Sequence, residues 1–243
     1  MDMDRALERA SPAKGDSMPD VSSQRRVHDM LLGRFERPAL QWLARHTPQR
    51  MTPDTMTMIG ILGSIVILAG YSLCRFSPAF LGLATLGFII NWYGDSLDGT
   101  LARYRKIERP RFGFFVDHTV DAFSQVMIFL GLGFSPYVRL DIATLALVGY
   151  LLMSIVAYVH AFVTGTFRIS YARIGPTEMR VIAILINLAV FLFGNPGFTL
   201  PQRTITLFDA AVMIIAIALM VAFAVTSLRY ASSLIGVDSS PEG

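Results

Sequence analysis

The chain has 243 residues, of which 53% are hydrophobic and only 16% are charged, and its formal net charge is +3. Soluble globular domains carry about 25% charged residues, so this composition excludes an ordinary soluble protein and predicts an integral membrane protein. The single cysteine, Cys74, excludes an internal disulfide and a cysteine-based metal cluster.

The first 48 residues form two segments of different character. Residues 1–24 mix acidic and basic side chains and predict a disordered cytoplasmic tail. Residues 25–48 place apolar side chains between arginines at roughly helical spacing, which predicts an amphipathic juxtamembrane helix in the cytoplasmic interface. The alternative is a soluble helix that covers the bundle. The apolar side chains concerned are Met30, Leu31, Phe35, Leu40, Trp42 and Leu43.

Six later stretches are apolar enough to cross a bilayer core of about 30 Å, which needs roughly 20 helical residues. They are approximately residues 54–73, 79–101, 112–134, 142–162, 177–193 and 207–228. Thr52 before Pro53 supplies a capping hydroxyl and a first-turn proline for the first of them. We therefore expect an all-α integral membrane protein, with six transmembrane helices in a domain at residues 49–232, the N-terminal amphipathic interfacial helix, and a flexible C-terminal tail at 233–243.

The basic residues predict the orientation of these helices. If the helices alternate in direction, all but three of the 21 lysines and arginines lie on the side of the N-terminus. The three on the other side are Arg75, Arg139 and Arg203. Because lysine and arginine are enriched in cytoplasmic loops, we expect both termini in the cytoplasm, and a bacterial inner (cytoplasmic) membrane as the location.

Four aspartates fall inside the second and third predicted spans. Asp95 and Asp98 are three residues apart and Asp117 and Asp121 are four apart, so each pair shares a helix face. Two consecutive antiparallel helices joined by the basic loop at residues 104–111 bring the two faces together near the cytoplasmic surface.

Carboxylates at this depth need compensating cations, because like charges in a poorly solvated site resist ionisation. An oxygen-only ligand set favours a hard cation such as Mg²⁺ or Mn²⁺, and four carboxylates suit two ions that bridge phosphates. Hydrogen bonds between helices and a carboxylate-lined cation transporter are the alternatives.

The same residues resemble a known signature. The run Asp95-Ser-Leu-Asp98-Gly99-Thr-Leu-Ala102-Arg103, followed after nine residues by Gly113-x-x-x-Asp117-x-x-x-Asp121, is similar to the motif of the CDP-alcohol phosphotransferase family. Members of that family transfer a substituted phosphate from a CDP-linked donor to a hydroxyl and release CMP. The resemblance covers about residues 26–230, implies a six-helix bundle, usually a homodimer, with a polar cavity open to the cytoplasm, and weakens the transporter interpretation.

The resemblance also implies roles for individual residues. Asp95, Asp98 and Asp117 are expected to bind metal, and Asp121 is expected to act as the general base on the acceptor hydroxyl and to touch a metal as well. The expected CDP-binding residues are Gly99, Ala102, Arg103 and Gly113. The expected cofactors are two Mg²⁺ or Mn²⁺ ions. The expected partners are the CDP-linked donor, the alcohol acceptor, membrane lipids and a second copy of the chain, without nucleic acid.

Two segments bear on the direction of transfer. Gly175-Pro176-Thr177-Glu178 resembles a segment of choline and ethanolamine phosphotransferases, which use a CDP-linked head group and a lipid alcohol such as diacylglycerol. An ordinary helix start explains the same residues. Arg168, Arg173 and Glu178 are candidates for an acceptor or lipid-phosphate pocket, and the arginines also suit an enzyme that transfers from CDP-diacylglycerol to glycerol phosphate, inositol or inositol phosphate. Asp54 stands where the family pattern has asparagine.

Overall fold

The computed structural model describes residues 32–164, 175–200 and 203–238. This part of the chain contains seven helices and one short β-hairpin. In chain order they are α1 (Gly33–His46), α2 (Pro53–Leu73), α3 (Phe80–Arg105), α4 (Pro110–Phe134), α5 (Leu140–Thr164), α6 (Pro176–Phe193), β1 (Gly197–Leu200), β2 (Arg203–Thr206) and α7 (Leu207–Asp238).

Six long helices follow α1, at the positions that the hydropathy pattern predicts. Four of them, α2, α5, α6 and α7, are long and apolar enough to cross a membrane, which agrees with an all-α membrane protein. The other two, α3 and α4, have 26 and 25 residues, enough to span a bilayer, but they carry the aspartates and arginines of the motif. That α3 and α4 also cross the membrane stays a prediction.

The N-terminal helix is present within the predicted segment. Leu40 and Ala44 are buried on its inner side, against Met56, Leu97 and Leu101 of α2 and α3. Its outer side exposes Phe35 and Trp42. Because large apolar side chains face outward on a helix that also carries arginines, its position in the membrane interface remains our prediction. Residues 25–31 of the predicted segment lie outside the described part.

Helices α2 and α3 pack with their backbones in contact. A Cβ atom on Gly63 of α2 would lie 2.7 Å from the Cα of Asn91 in α3, which is closer than real side chains approach. A Cβ on Gly94 of α3 would likewise lie 2.7 Å from the Cα of Gly60. Small residues permit such close packing in membrane bundles. The result is that polar side chains of α2 reach the motif on α3.

The structure contradicts one prediction at the C-terminal end of the chain and adds one element that was not predicted. Helix α7 continues to Asp238, so residues 233–238 of the predicted flexible tail are helical, because the apolar sequence of α7 runs on through Leu234 and Ile235. The β-hairpin between α6 and α7 was not predicted. It pairs Gly197 with Thr206, and the sequence signal for it is limited to β-branched and aromatic residues on both sides of Pro201.

The end of the bundle that carries the hairpin is held by Asp209 at the start of α7. Its buried carboxylate accepts hydrogen bonds from the backbone nitrogens of Arg139 (2.8 Å) and Thr206 (3.0 Å). Asp209 therefore satisfies backbone groups at this end of the bundle. It lies on a different helix from the four motif aspartates.

Candidate active site

The two halves of the motif adjoin because a short turn connects their helices. Helix α3 ends at Arg105, and Lys106 follows in the left-handed conformation, with φ of 58°. The backbone nitrogen of Ile107 then donates to the carbonyl of Ala102 at 3.1 Å. Helix α4 begins at Pro110 with a proline in its first turn. The chain thus reverses within four residues, and the last turns of α3 lie beside the first turns of α4.

Asp98 is fixed in orientation by donors on two helices. Thr57 of α2 donates its hydroxyl to Asp98 Oδ2 at 2.7 Å, and the backbone nitrogen of Gly99 donates to Oδ1. Asp98 also lies within electrostatic range of Asp95 and Asp117. Hydrogen bonds to a carboxylate are stronger than those between neutral groups, so Thr57 restricts the direction in which Asp98 can point.

Asp95 forms a buried ion pair with Arg180 of α6. The distance from the guanidinium Nη2 to Asp95 Oδ2 is 2.6 Å, and the side chains are 9% and 17% exposed, respectively. Arg180 Nε also donates to Asn91 Oδ1 at 2.9 Å. Asn91 in turn donates to the carbonyl of Gly60 and the hydroxyl of Ser64, each at 3.0 Å. Asn91 therefore holds Arg180 in position while the guanidinium neutralises Asp95.

The second pair of carboxylates faces the first. Asp121 lies within electrostatic range of Asp95, Asp117 and Arg180, so the structure brings all four motif aspartates into one cluster. Tyr150 and Tyr158 of α5 are within electrostatic range of Asp121 and close the cluster on that side. The cluster combines four carboxylates with one buried guanidinium.

The residues expected to bind CDP lie at the end of α3 and the start of α4, beside this cluster. The guanidinium of Arg103 lies over Gly99, where a Cβ atom would be 3.3 Å from Arg103 Nη1. Gly113 faces open space, with no heavy atom within 4 Å of the position of a Cβ. Ala102 lies on α3, three residues after Gly99, and is half-buried. The glycines therefore leave the backbone of both helices accessible to a ligand, while their role in CDP binding stays a prediction.

The donor set fits a hard divalent cation, whereas the side-chain arrangement is not a finished metal site. In the described part of the chain, no group of three or more His, Cys, Asp or Glu side chains is arranged to hold an ion directly. Asp95 points to Arg180 and Asp98 to Thr57. All the candidate ligands are carboxylates on adjoining helices, and carboxylate oxygens are the ligands that Mg²⁺ and Mn²⁺ prefer.

Of the three residues predicted for an acceptor or lipid-phosphate pocket, Glu178 alone lies in the described part of the chain. Arg168 and Arg173 lie outside the described residues. Glu178 is buried, and its two carboxylate oxygens accept from the backbone nitrogens of Leu32 (2.8 Å) and Gly175 (2.9 Å). The structure thus uses Glu178 to cap the start of α6, which is the ordinary role of a glutamate at that position. Its role in an acceptor pocket stays a prediction.

Asp54, which departs from the family pattern, forms an ion pair with Arg109 in the turn between α3 and α4. Both side chains are more than half exposed, so the pair contributes little stability. It connects the start of α2 to the turn that joins the two halves of the motif.

Thr57 and Arg180 contact the motif aspartates directly, and Asn91 contacts Arg180. None of the three was predicted to lie beside the aspartates. For Arg180 and Asn91 a sequence signal existed. Both are polar residues inside apolar helices, where such groups are unfavourable unless a partner is present. The sequence suggested Arg180 as a topology signal and, together with Arg168 and Arg173, as part of a basic pocket for a phosphorylated acceptor. It did not indicate Asp95 as its partner, which is 85 residues away on α3.

A cavity of about 410 Å³ opens between α1, α3 and α6 next to this cluster. Most of its lining is apolar, including Phe88, Ile89 and Ile184, and Arg180 lies at its polar side. The guanidinium that pairs with Asp95 therefore faces both the carboxylate cluster and the cavity.

Three curated proteins with related sequences illustrate what this chain is similar to. Archaetidylinositol phosphate synthase from Methanothermobacter thermautotrophicus is 29% identical over 82% of this chain and 90% of its own length. The enzyme of the same name from Pyrococcus horikoshii is 33% identical over 43% of this chain. Mouse cholinephosphotransferase 1 is 30% identical over 72%. The chain spans about half of the Pyrococcus protein and 44% of the mouse protein.

A solved structure shares the fold. The crystal structure of phosphatidylinositol phosphate synthase from Mycobacterium tuberculosis, with CDP-DAG bound, superimposes with a TM-score of 0.52 at 23% identity. The match covers 82% of this chain and 92% of that protein. The sequence model described as CDP-alcohol phosphatidyltransferase matches residues 50–228, which include α2 to α6, the first two thirds of α7 and all four motif aspartates. The chain belongs to the CDP-alcohol phosphatidyltransferase family.

Proposed function

We propose that this protein is a membrane-embedded transferase of phospholipid biosynthesis, which moves a substituted phosphate from a CDP-linked donor to a hydroxyl and releases CMP. The observation that carries the proposal is the convergence of the four motif aspartates at the adjoining ends of α3 and α4. Four carboxylates held close together need cations to balance their charge, and the same cations would neutralise the phosphates of a pyrophosphate during its cleavage.

Asp95, Asp98 and Asp117 are the proposed metal ligands, with Asp121 at the edge of the same site. The family uses divalent metal ions, and we propose two Mg²⁺ or Mn²⁺ ions here. When bound, such ions neutralise the phosphates and polarise the phosphorus that is attacked. Thr57 fixes the direction of Asp98, and Arg180 neutralises Asp95.

Asp121 is the proposed general base. Its carboxylate takes the proton of the acceptor hydroxyl as the acceptor oxygen forms a bond to the phosphorus that carries the transferred group. The pyrophosphate P–O bond breaks, and CMP leaves with the electron pair of that bond. Attack and departure in line require both substrates to be held in one orientation. Gly99, Ala102, Arg103 and Gly113 are proposed to hold the CDP portion at the cytoplasmic end.

The cavity between α1, α3 and α6 supports a lipid as one of the two substrates. Its apolar lining suits an alkyl chain, and its polar side is Arg180, next to Asp95. A lipid that lies there presents its polar end to the carboxylate cluster. This argument holds whether the lipid is the acceptor or the CDP-linked donor.

Our first candidate reaction transfers the phosphate-linked head group of a CDP-alcohol to a lipid hydroxyl such as that of diacylglycerol. The sequence Gly175-Pro176-Thr177-Glu178 supports it, as does the likeness to mouse cholinephosphotransferase 1 over most of this chain. The second candidate uses CDP-diacylglycerol and a polar alcohol such as glycerol phosphate or inositol phosphate. The likeness to the Methanothermobacter enzyme, which extends over 90% of that protein, favours it.

The proposed setting is a bacterial cytoplasmic membrane, with both termini and the active site facing the cytoplasm and two copies of the chain forming a homodimer. The excess of basic residues on one side supports this orientation.

Release of CMP by the purified protein tests the function. The protein in detergent with Mg²⁺ is given CDP-ethanolamine plus diacylglycerol in one reaction, and CDP-diacylglycerol plus glycerol phosphate or inositol phosphate in others. We expect CMP from one donor class only. Asp121→Asn is expected to abolish it, and Asp141→Asn, at the exposed start of α5, serves as the matched control. Absence of CMP release from both donor classes would contradict the proposal.

A further inference from the structure

We propose that Glu36 of α1 is a positioning residue that holds α1 in place as one wall of the cavity beside the active site, and so sets the affinity for the lipid substrate. The inference rests on the proposed function in one respect: it takes the occupant of this cavity to be a lipid.

A single oxygen of Glu36 joins three helices. Glu36 Oε1 accepts hydrogen bonds from Trp92 Nε1 at 2.8 Å and from the hydroxyl of Ser96 at 3.2 Å, both on α3. It also accepts from the hydroxyl of Thr177 on α6 at 2.7 Å. Hydrogen bonds to a carboxylate are about twice as strong as neutral ones. Glu36 is therefore the point at which α1 is fastened to both α3 and α6.

The three donors lie next to the residues that form the site. Ser96 follows Asp95 directly, and Trp92 precedes Asp95 by about one turn on α3. Thr177 precedes Arg180 by about one turn on α6. The Glu36 contacts thus bridge α3 and α6 one turn or less from the Asp95–Arg180 ion pair. Movement of Glu36 would change the wall of the cavity before it changed the carboxylate cluster.

The N-terminal half of α1 has little else to hold it. The buried apolar residues of this helix, Leu40 and Ala44, lie in its second half. In the first half, Phe35 is 71% exposed, although it lines the cavity together with Leu32 and Glu36. A second polar contact at this end of the helix is the hydrogen bond from the Leu32 nitrogen to Glu178. Because polar contacts replace apolar packing in this half, the position of the cavity wall depends on Glu36.

Two substitutions separate the contact from the charge. Glu36→Ala removes the acceptor, and we expect the apparent Kd and the KM for the lipid substrate to rise about tenfold, which is the effect of losing hydrogen bonds to a charged group. The KM for the water-soluble substrate is expected to change less than about twofold, since that substrate approaches from the cytoplasmic end. Glu36→Gln retains the oxygen, and we expect it to restore most of the lipid affinity.

A binding measurement that does not depend on turnover tests the inference. The chain has two tryptophans, and Trp42 is 60% exposed on the outer side of α1. Trp42→Phe in the full chain leaves Trp92, which lines the cavity, as the only fluorophore of this kind. Quenching of Trp92 is then followed as diacylglycerol or CDP-diacylglycerol with brominated acyl chains is added in separate titrations. Gln41→Ala, on the exposed side of α1, is the control.

We expect saturable quenching by one of the two lipids, weaker binding with Glu36→Ala, and near-normal binding with Glu36→Gln and Gln41→Ala. Equal lipid affinity for the wild-type protein and Glu36→Ala would overturn the inference, as would the absence of saturable quenching by either lipid. If these results appear but no donor releases CMP, the proposed function fails and the role of Glu36 stands. If CMP is released but Glu36→Ala does not weaken lipid binding, the proposed function stands and the role of Glu36 is wrong.

Discussion

Replacement of Arg180 by glutamine removes the guanidinium that faces Asp95 but keeps a side chain long enough to reach Asn91. Arg180 and Asp95 are 9% and 17% exposed, with 2.6 Å between the charged groups, so solvent screens this pair far less than a surface pair. Loss of one partner of a buried ion pair costs about 3–5 kcal/mol, because the other charge is left without compensation.

For a chain of this length, each kcal/mol lowers Tm by about 2–4 °C, so we expect Arg180→Gln to lower Tm by about 6–20 °C. The measurement is thermal unfolding of the purified protein in detergent with EDTA, so that bound cations do not replace the guanidinium. Arg75→Gln is the matched control. Its guanidinium is exposed and contacts a backbone carbonyl, so we expect an effect within about 0.5 kcal/mol.

A double-mutant cycle identifies Asp95 as the source of the effect. Asp95→Asn alone leaves Arg180 buried without its partner and should also be strongly destabilising. The double variant should be more stable than the sum of the single changes predicts, by about 2 kcal/mol, because residues in direct contact are coupled. Additive effects of the two substitutions, or a Tm of Arg180→Gln equal to that of the Arg75→Gln control, would refute the assignment of a buried ion pair.

Three further predictions concern activity and packing. Asp121→Asn should lower the rate of CMP release by about 10²–10⁴-fold, which is the usual contribution of a general base. Binding of the CDP-linked donor, measured by calorimetry, should be retained. Equal rates of CMP release by the variant and the wild-type protein would exclude Asp121 as the base. EDTA should stop CMP release and Mg²⁺ or Mn²⁺ should restore it, and full activity in EDTA would contradict a metal-dependent reaction. Gly63→Leu should lower Tm by more than Gly82→Leu does. A Cβ at Gly63 overlaps the backbone of Asn91, whereas a Cβ at Gly82 meets open space. Equal Tm values of the two variants would contradict the close α2–α3 contact.

The sequence was sufficient to predict the main features of the site. Spacing of three and four residues put the aspartates on two helix faces, and the short basic loop required those helices to be neighbours. The convergence of all four carboxylates followed from these two facts. Local spacing is informative in this case because the functional residues lie on two consecutive helices, within 27 residues of one another.

The remaining contacts could not be predicted from local spacing. Arg180 reaches Asp95 across 85 residues, and Thr57 reaches Asp98 across 41. Such contacts depend on how closely the helices approach, and the glycines of α2 and α3 permit the close approach of those two helices. The sequence shows the glycines, but it does not show which helix each of them faces. For Glu178 the difficulty was different: its position in the sequence suited both a ligand pocket and a helix cap, so the sequence did not distinguish the two roles.

The polar contacts of the site also hold the bundle together. Arg180 joins α6 to α3 through Asp95 and Asn91. Ser64 joins α2 to α3 through Asn91 and to α4 through Ser124. In a membrane, apolar helices gain little from mutual burial, so interhelical hydrogen bonds and small residues provide much of the specificity of packing. Four helices are therefore aligned by the same network that orients the carboxylates, and substitutions in this network should affect stability and activity together.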